Sequence, residues 1–452
     1  MASRVILFFL VSILSYQFHA DVINFEMIGG IPDDMSEDTA WLNGDLMNRT
    51  LEILMPGDTF IIPNKTFKLM GGIEARNLTS VTIQIDGTIL FSNDIKNWPR
   101  YKKNGEEELQ VLECIHFYNI ENVTFTSKGM GTLNGQGQRW WGIPGIGYLV
   151  RGENRPRLFN VEDSKNILVE NIFFLNSPYW TFWVHGVDGL EVRNSEISAR
   201  RSDQDNHNII DMTAFNTDGF DVSGKNVWIH DCKVWDQDDC IAVKGTSENM
   251  LFERIEASGI GVTIGSIGCS TVNNITFRDV YMHHTWKGIY MKFRGCSEAN
   301  AARISNVLYE NIYMDQPEQF SIWIGPAQQS DSNQLCAAHP CSICWPQFAE
   351  LLPNKATCEG QSNSRYENIT LRNITIYDPQ YKYGQGVILA AEDTPMENIL
   401  FHDVKVVDAK GDDFAKYTSC EGVLSGIATG NTYPVPPCFE DQTDSNVIID
   451  LL

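Results

Sequence analysis

Positive charge is scarce in this chain of 452 residues. Its 34 lysines and arginines stand against 58 aspartates and glutamates, for a net charge of −24. Long-range repulsion then opposes any encounter with nucleic acid or an anionic membrane, so neither is expected as a partner. A polyanionic substrate remains open only if a few cations are gathered at the site itself. Long apolar runs are scarce as well: past residue 20 no stretch is long and apolar enough to cross a bilayer. Helical periodicity is nearly absent, which points away from helical folds.

The first twenty residues differ from the rest. MASRVILFFLVSILSYQFHA carries one Arg4, an apolar stretch from Val5 to Leu14 and then polar residues up to Ala20. That is the layout of a secretory signal peptide cut near Ala20, although Phe18 is bulky for the usual small-residue rule. The mature chain is therefore expected to be secreted, extracellular or wall-associated, and monomeric. Seven N-x-S/T sequons (Asn48, Asn64, Asn77, Asn122, Asn274, Asn368, Asn373) fit export, though several sit where strands begin. Eleven cysteines include the tight group Cys336, Cys341, Cys344 and Cys358. Behind a signal peptide such a group reads as disulfides rather than zinc, and an odd total leaves a thiol over.

What the chain has in abundance is one repeated phrase. KNILVENIFFLNS (165–177), KNVWIHDCKVW (225–235), NNITFRDVYMH (273–283) and ENILFHDVKVVD (397–408) each alternate apolar and polar residues around Asn or Asp. Alternation rich in Val, Ile, Phe and Tyr is a strand signal. Leu190 follows Ile167 by 23 residues, Met250 follows Val227 by 23, and Ile275 follows Met250 by 25. A period of this size, with short polar turns, predicts an all-β, single-domain right-handed parallel β-helix, one repeat to a coil. A β-propeller would need about forty residues per blade. The solenoid is placed at 45–410, after a lead-in at 21–44. Loops are expected at 95–115, 135–155 and 320–365, and an extension, disulfide-tied or capping, at 411–452. Asn and Asp at the turns are expected to bond neighbouring backbone groups.

Three carboxylates break into this pattern. Asp218 lies in NTDGFDV, and Asp238 and Asp239 lie in WDQDDCIAVK, 21 residues from Asp218 to Asp239. One coil further along a solenoid is a step of about 4.8 Å, so they should occupy neighbouring rungs on one side. Crowded carboxylates repel, so at least one should keep its proton at unusually high pH. A protonated and an ionised carboxyl together are what glycoside hydrolysis requires. A calcium site or a solvated acidic turn would use the same residues. SDQDNHN (202–208) lacks the glycine and terminal Glu of a calcium loop and reads as a turn.

NTDGFDVSGKNVWIHDCKVWDQDDCIAVKG resembles the core of the polygalacturonase family, glycoside hydrolase family 28. IDGTILFSND (85–94), TLNGQGQRWW (132–141), RPRLFNVEDSKNILVENIFFLNSPYWT (155–181) and IGSIG (264–268) are similar to further family segments. The resemblance implies a right-handed parallel β-helix that cleaves α-galacturonosyl linkages of pectin-like polysaccharide with inversion. It makes Asp238 the general acid and lets Asp218 and Asp239 hold and deprotonate the attacking water. Asn216 and Gln237 would position these groups or the sugar. No metal and no organic cofactor are implied.

Two positions depart from the family pattern. Ile260, in SGIGVTIGSIG, stands where a G-H-G histidine is usual, and it makes that rung apolar. In GIYMKFRG (288–295), Tyr290 stands where an arginine is usual, while Lys292 keeps the lysine that holds a galacturonate carboxylate. Arg294, two residues on, would point the same way in a strand. Tyr290 suits packing or sugar stacking equally. His283 and His284 read as an ordinary turn with a possible imidazole role. Trp183, in YWTFW, stands where the family often has histidine and offers a stacking platform, with core packing expected for it or Trp180. The usual disulfide partner of Cys240 is missing, since Ala257 and Ser258 occupy its place. Two further functions share these features: a non-catalytic carbohydrate-binding descendant, and a calcium-dependent β-helix lyase.

Overall fold

Each repeated phrase stacks on the next in parallel. Ile167 pairs with Leu190, Leu190 with Val227, Val227 with Met250 and Met250 with Ile275, the residues whose spacing defined the repeat. The ladder continues through Val307 and Ile369 to Ile399. In the computed structural model, which describes residues 20–105, 107–142, 154–208, 210–298, 301–327 and 360–443, one 28-stranded sheet winds through the chain. Consecutive coils add parallel strands, and the architecture is the right-handed parallel β-helix expected from the repeat.

Alternation decides what the coils enclose. Inward residues of successive rungs meet as stacks, with Phe159 on Phe182 at 5.1 Å and Phe252, Phe277 and Tyr309 in file at 4.9 and 4.7 Å. The turns are held by asparagines in the left-handed region, among them Asn226, Asn249 and Asn274 with φ of 56°, 56° and 55°. A short polar side chain makes that region tolerable. Their amides bond along the stack, Asn274 to Asn249 at 2.8 Å and Asn398 to Asn368 at 3.0 Å. The sequons at Asn122, Asn274, Asn368 and Asn373 fall in such ladders. Other turn residues bond neighbouring backbone as expected, Asn171 Nδ2 to Ser127 O at 3.3 Å and Asp403 Oδ1 from the Asn431 N–H at 2.7 Å.

The ends differ from the expectation of an almost helix-free chain. A helix, Glu37–Ile53, is capped by Ser36, whose side chain accepts from the Thr39 N–H. Its buried Met47 and Leu51 face Phe60, Ile62, Ile83 and Ile85. An open solenoid end would expose its apolar core and strand edges, and the helix covers both. Leu51→Ala should accordingly lower unfolding stability by about 2–5 kcal/mol, read as a shifted denaturant midpoint. The ladder itself runs from Val22–Asn24 to Glu440–Gln442, past both limits of the 45–410 span read from the repeat. A disulfide, Cys420–Cys438, ties the C-terminal part.

Of the expected loops, 95–115 contains an antiparallel hairpin, Arg100–Lys102 with Leu109–Val111. The 320–365 stretch begins instead with a ladder strand, Ile322–Pro326, between Ile289–Phe293 and Gly386–Leu389. The four-cysteine group and the signal segment up to residue 19 lie outside the described residues, as does 143–153. Elsewhere Cys269 pairs with Cys296, while Cys114, Cys232 and Cys240 are buried thiols. Among the described residues no helix is long and apolar enough to cross a membrane.

Candidate active site

The NTDG and QDDC blocks sit on consecutive rungs. Thr181 N–H donates to Asp218 O, Gly219 N–H to Asp239 O and Ile260 N–H to Asp238 O, at 2.8, 2.9 and 2.6 Å. These bonds fix the order Trp180, Asp218, Asp238–Asp239, Ile260 across four adjacent rungs. The ladder slips by one residue between Asp239 and Ile241, a bulge just after the two aspartates. The backbone approaches too closely here for a side chain. A Cβ at Gly219 would stand 2.3 Å from Cys240 O, and one at Gly259 would stand 2.2 Å from Asp236 Oδ1.

One oxygen from each of Asp218, Asp238 and Asp239 lies within 4.8 Å of the others, and all three residues are buried. Asp239 has a counter-ion: Lys292 Nζ stands 2.8 Å from Oδ2 and 3.2 Å from Oδ1, and Thr263 Oγ1 donates to Oδ1 at 2.8 Å. Asp238 accepts from Asn216 Nδ2 at 3.0 Å and from the Asp239 N–H at 2.9 Å. Burial, and then the charge of Asp239, push the Asp238 carboxyl up to about 7. Burial, and then Asp238, raise Asp218 well above the usual carboxylate range. Burial raises Asp221 and Asp236 as well. The cluster therefore keeps protons that isolated carboxyls would have lost.

That has a consequence for stability. A carboxyl whose folded pKa is raised binds more protons folded than unfolded, so stability falls as pH rises from the ordinary carboxylate range through the raised value. With four such groups, the apparent melting temperature should be higher at pH 5 than at pH 8. An equal or reversed order would mean that the cluster is ionised throughout.

Other residues named from sequence fall in different places. Tyr290 is 2% exposed and packs with Ile260, Trp286, Phe320, Trp323, Tyr381, Val387 and Leu389. The rung beyond the acids is thus closed by apolar packing, and Lys292 Nζ lies 4.3 Å from the Tyr290 ring. The strand carrying Lys292 ends at Phe293, so alternation does not reach Arg294, which is exposed at its end. Gln237 Oε1 meets His207 Nδ1 at 2.9 Å, and His207 Nε2 meets Ser258 Oγ at 3.0 Å. His283 packs edge-on against Trp235 at 6.0 Å, and His284 lines a polar hollow with Asp203, Asp205 and Glu318.

Three residues of this site were not singled out from sequence: Lys244, Asp221 and His207. Lys244 Nζ lies 2.7 Å from Asp221 Oδ1 and 4.0 Å from Asp218 Oδ2. Burial opposes its charge, but Asp221 and Asp218 outweigh that and raise its pKa. A signal for it existed. Ile241 and Val243 point inward, so alternation turns Ala242 and Lys244 outward, beside the acids. His207 sits in the stretch read as a plain turn, and no local pattern marks its long-range partners. Burial drives its pKa down to about 4, so it stands neutral behind Gln237.

The same oxygens are spaced closely enough for a cation. Two ammonium groups already stand against them, however, and their charge would oppose a divalent ion.

The model of the family described as "Glycosyl hydrolases family 28" matches residues 57–345. Exopolygalacturonase A of Aspergillus niger is 22% identical over 372 residues, 79% of this chain and 78% of that protein. An endopolygalacturonase of Emericella nidulans is 26% identical over 307 residues, 67% of this chain and 70% of its own. The crystal structure of an endo-xylogalacturonan hydrolase from Aspergillus tubingensis superimposes with a TM-score of 0.67 at 18% identity. It covers 91% of this chain and 100% of its own, and it shows the shared fold. The family match spans well over half of the sequence and contains all three aspartates. The chain belongs to glycosyl hydrolase family 28 and is a glycoside hydrolase.

Proposed function

We propose that the protein is a secreted, monomeric hydrolase that cleaves α-galacturonosyl linkages in a pectin-like acidic polysaccharide with inversion. The observation that carries this is the buried triad itself: one carboxylate paired with a lysine, beside another whose pKa lies near 7. A general acid works best when its pKa is near the operating pH. Asp238 donates its proton to the glycosidic oxygen as that bond breaks. A water held between Asp218 and Asp239 attacks the anomeric carbon from the opposite side and passes its proton to Asp239. Asn216, bonded to Asp238, fixes the direction in which the acid points. Lys292 and Thr263 both bond the Asp239 carboxyl group and hold it in place.

The spacing bears on stereochemistry. Inverting enzymes commonly separate acid and base by about 6.5–9.5 Å and retaining ones by about 5–5.5 Å. Here three oxygens converge within 4.8 Å. Inversion is supported by number rather than distance: two carboxyl groups beside the acid, Asp218 and Asp239, can hold one water between them. A retaining enzyme needs only one nucleophile. The polymer being acidic fits a site where cations have been gathered in a strongly acidic chain.

Hydrolysis of polygalacturonate, followed by NMR of the newly formed reducing ends with and without chelator, tests each part. The expected product is saturated, appears first with inverted configuration and is unaffected by chelator. Unsaturated ends that vanish with chelator would establish the calcium-dependent lyase instead, and retained configuration would reassign Asp218 or Asp239 as nucleophile.

A further inference from the structure

A uronan hydrolase must recognise a carboxylate, and the rung beyond the acids is poorly placed to do so. Tyr290 stands there packed with Ile260 and Trp323, and Lys292 is engaged by Asp239 with a side chain only 6% exposed. Lys287, on the same face, lies 4.4 Å from the Tyr290 ring and is fully buried. Two cations elsewhere around the triad are accessible, and one of them, Lys244, also donates from Nζ to Gly265 O at 3.3 Å. Arg157 and Lys244 have side chains 24% and 27% exposed.

Both cations approach one indole. The Arg157 guanidinium lies 4.7 Å from the Trp180 ring and 4.4 Å from the Trp183 ring, and Lys244 Nζ lies 5.6 Å from the Trp180 ring. Trp180 directly precedes Thr181, whose N–H bonds to Asp218 O, so the group sits one rung from the triad. Trp183 pairs with Asp221, the partner of Lys244. Both indoles are partly exposed. A rung is about 4.8 Å, comparable to one sugar residue of an extended polymer.

We propose that Arg157 and Lys244, both close to Trp180 and with Trp183 beside Arg157, form the subsite that reads the substrate's carboxylate. Carboxylate recognition then falls to a group that reaches from the Asp239 rung to the rungs of Asp221 and Trp180, rather than to the packed rung of Ile260 and Tyr290. The planar guanidinium suits a carboxylate, and the exposed parts of the indoles suit the apolar surface of a pyranose. Arg157 is shared with Glu113, at 3.4 Å, and Lys244 with Asp221, so each cation is positioned before substrate arrives. His116, near Trp183, is held neutral by burial, with a pKa driven to about 3, and adds no competing charge.

The inference rests on the reading of the enzyme as a galacturonan hydrolase, and the test separates the two. kcat/KM is measured on unesterified and on fully methyl-esterified galacturonan for the parent enzyme and for Arg157→Met, Arg157→Lys and Lys244→Gln. The parent should prefer the unesterified polymer. Arg157→Met and Lys244→Gln should each cut the ratio of the two kcat/KM values about tenfold or more, mainly through KM. Arg157→Lys should recover part of it. A parent that cleaves neither polymer overturns both the function and the subsite. A parent that cleaves both without preference, or variants that lose activity equally on both, overturn the subsite alone. Because the readout is a ratio within one protein sample, partial misfolding of a variant does not imitate the expected result.

Discussion

Asp238→Asn is expected to lower kcat on polygalacturonate by about 10²–10⁴-fold while KM changes little, since general acid catalysis contributes that much. The substitution keeps the shape of the side chain, and its oxygen can still accept from Asn216 Nδ2. What it removes is the proton delivered to the leaving oxygen. The same change should raise the denaturation midpoint at pH 8. There the native Asp238 would be ionised inside a buried cluster that holds its pKa near 7, and the amide relieves that repulsion. A variant that is dead but more stable separates catalysis from folding. In the parent, activity should decline as pH rises through about 7, where Asp238 loses its proton. A variant with turnover like the parent's would assign the acid elsewhere.

Lys292→Met should be damaging in two ways. Lys292 is the counter-ion of Asp239, and both side chains are almost completely enclosed, 6% and 2% exposed. Removing one partner of such a pair leaves a buried charge uncompensated and typically costs 3–5 kcal/mol. The denaturant midpoint should fall accordingly. Activity should fall with it, because Asp239 must either take up a proton or move. Adding Asp239→Asn to Lys292→Met should restore much of the stability and none of the activity, since the orphaned charge is then gone but the water-binding pair is incomplete. A double-mutant cycle over these variants gives the coupling directly. Additive effects would mean that the two residues do not act as a pair.

The architecture was legible in the sequence because a solenoid repeats one local rule. Ile167, Leu190, Val227, Met250 and Ile275 recur at nearly constant spacing, and each lands on the previous one in the ladder. The triad was legible for the same reason: 21 residues make one coil, which brings Asp218 beside Asp239. The cap at Glu37–Ile53 was harder to see, because a helix that covers the end of a core repeats nothing. Arg294 shows the limit of extrapolating alternation. The pattern holds only as far as the strand does, and the strand stops at Phe293.

The sequence by itself determined the parallel β-helix and the convergence of three carboxylates. Those follow from identity and period, which are properties of a linear chain. Only the tertiary structure decided which cation each carboxylate receives. Lys292 turns to Asp239, Lys244 turns to Asp221 near Asp218, and Arg157 arrives beside Trp180 from the neighbouring coil. Charge pairing at these distances depends on angstroms and on burial, and both are set by how rungs stack and not by what stands next in sequence.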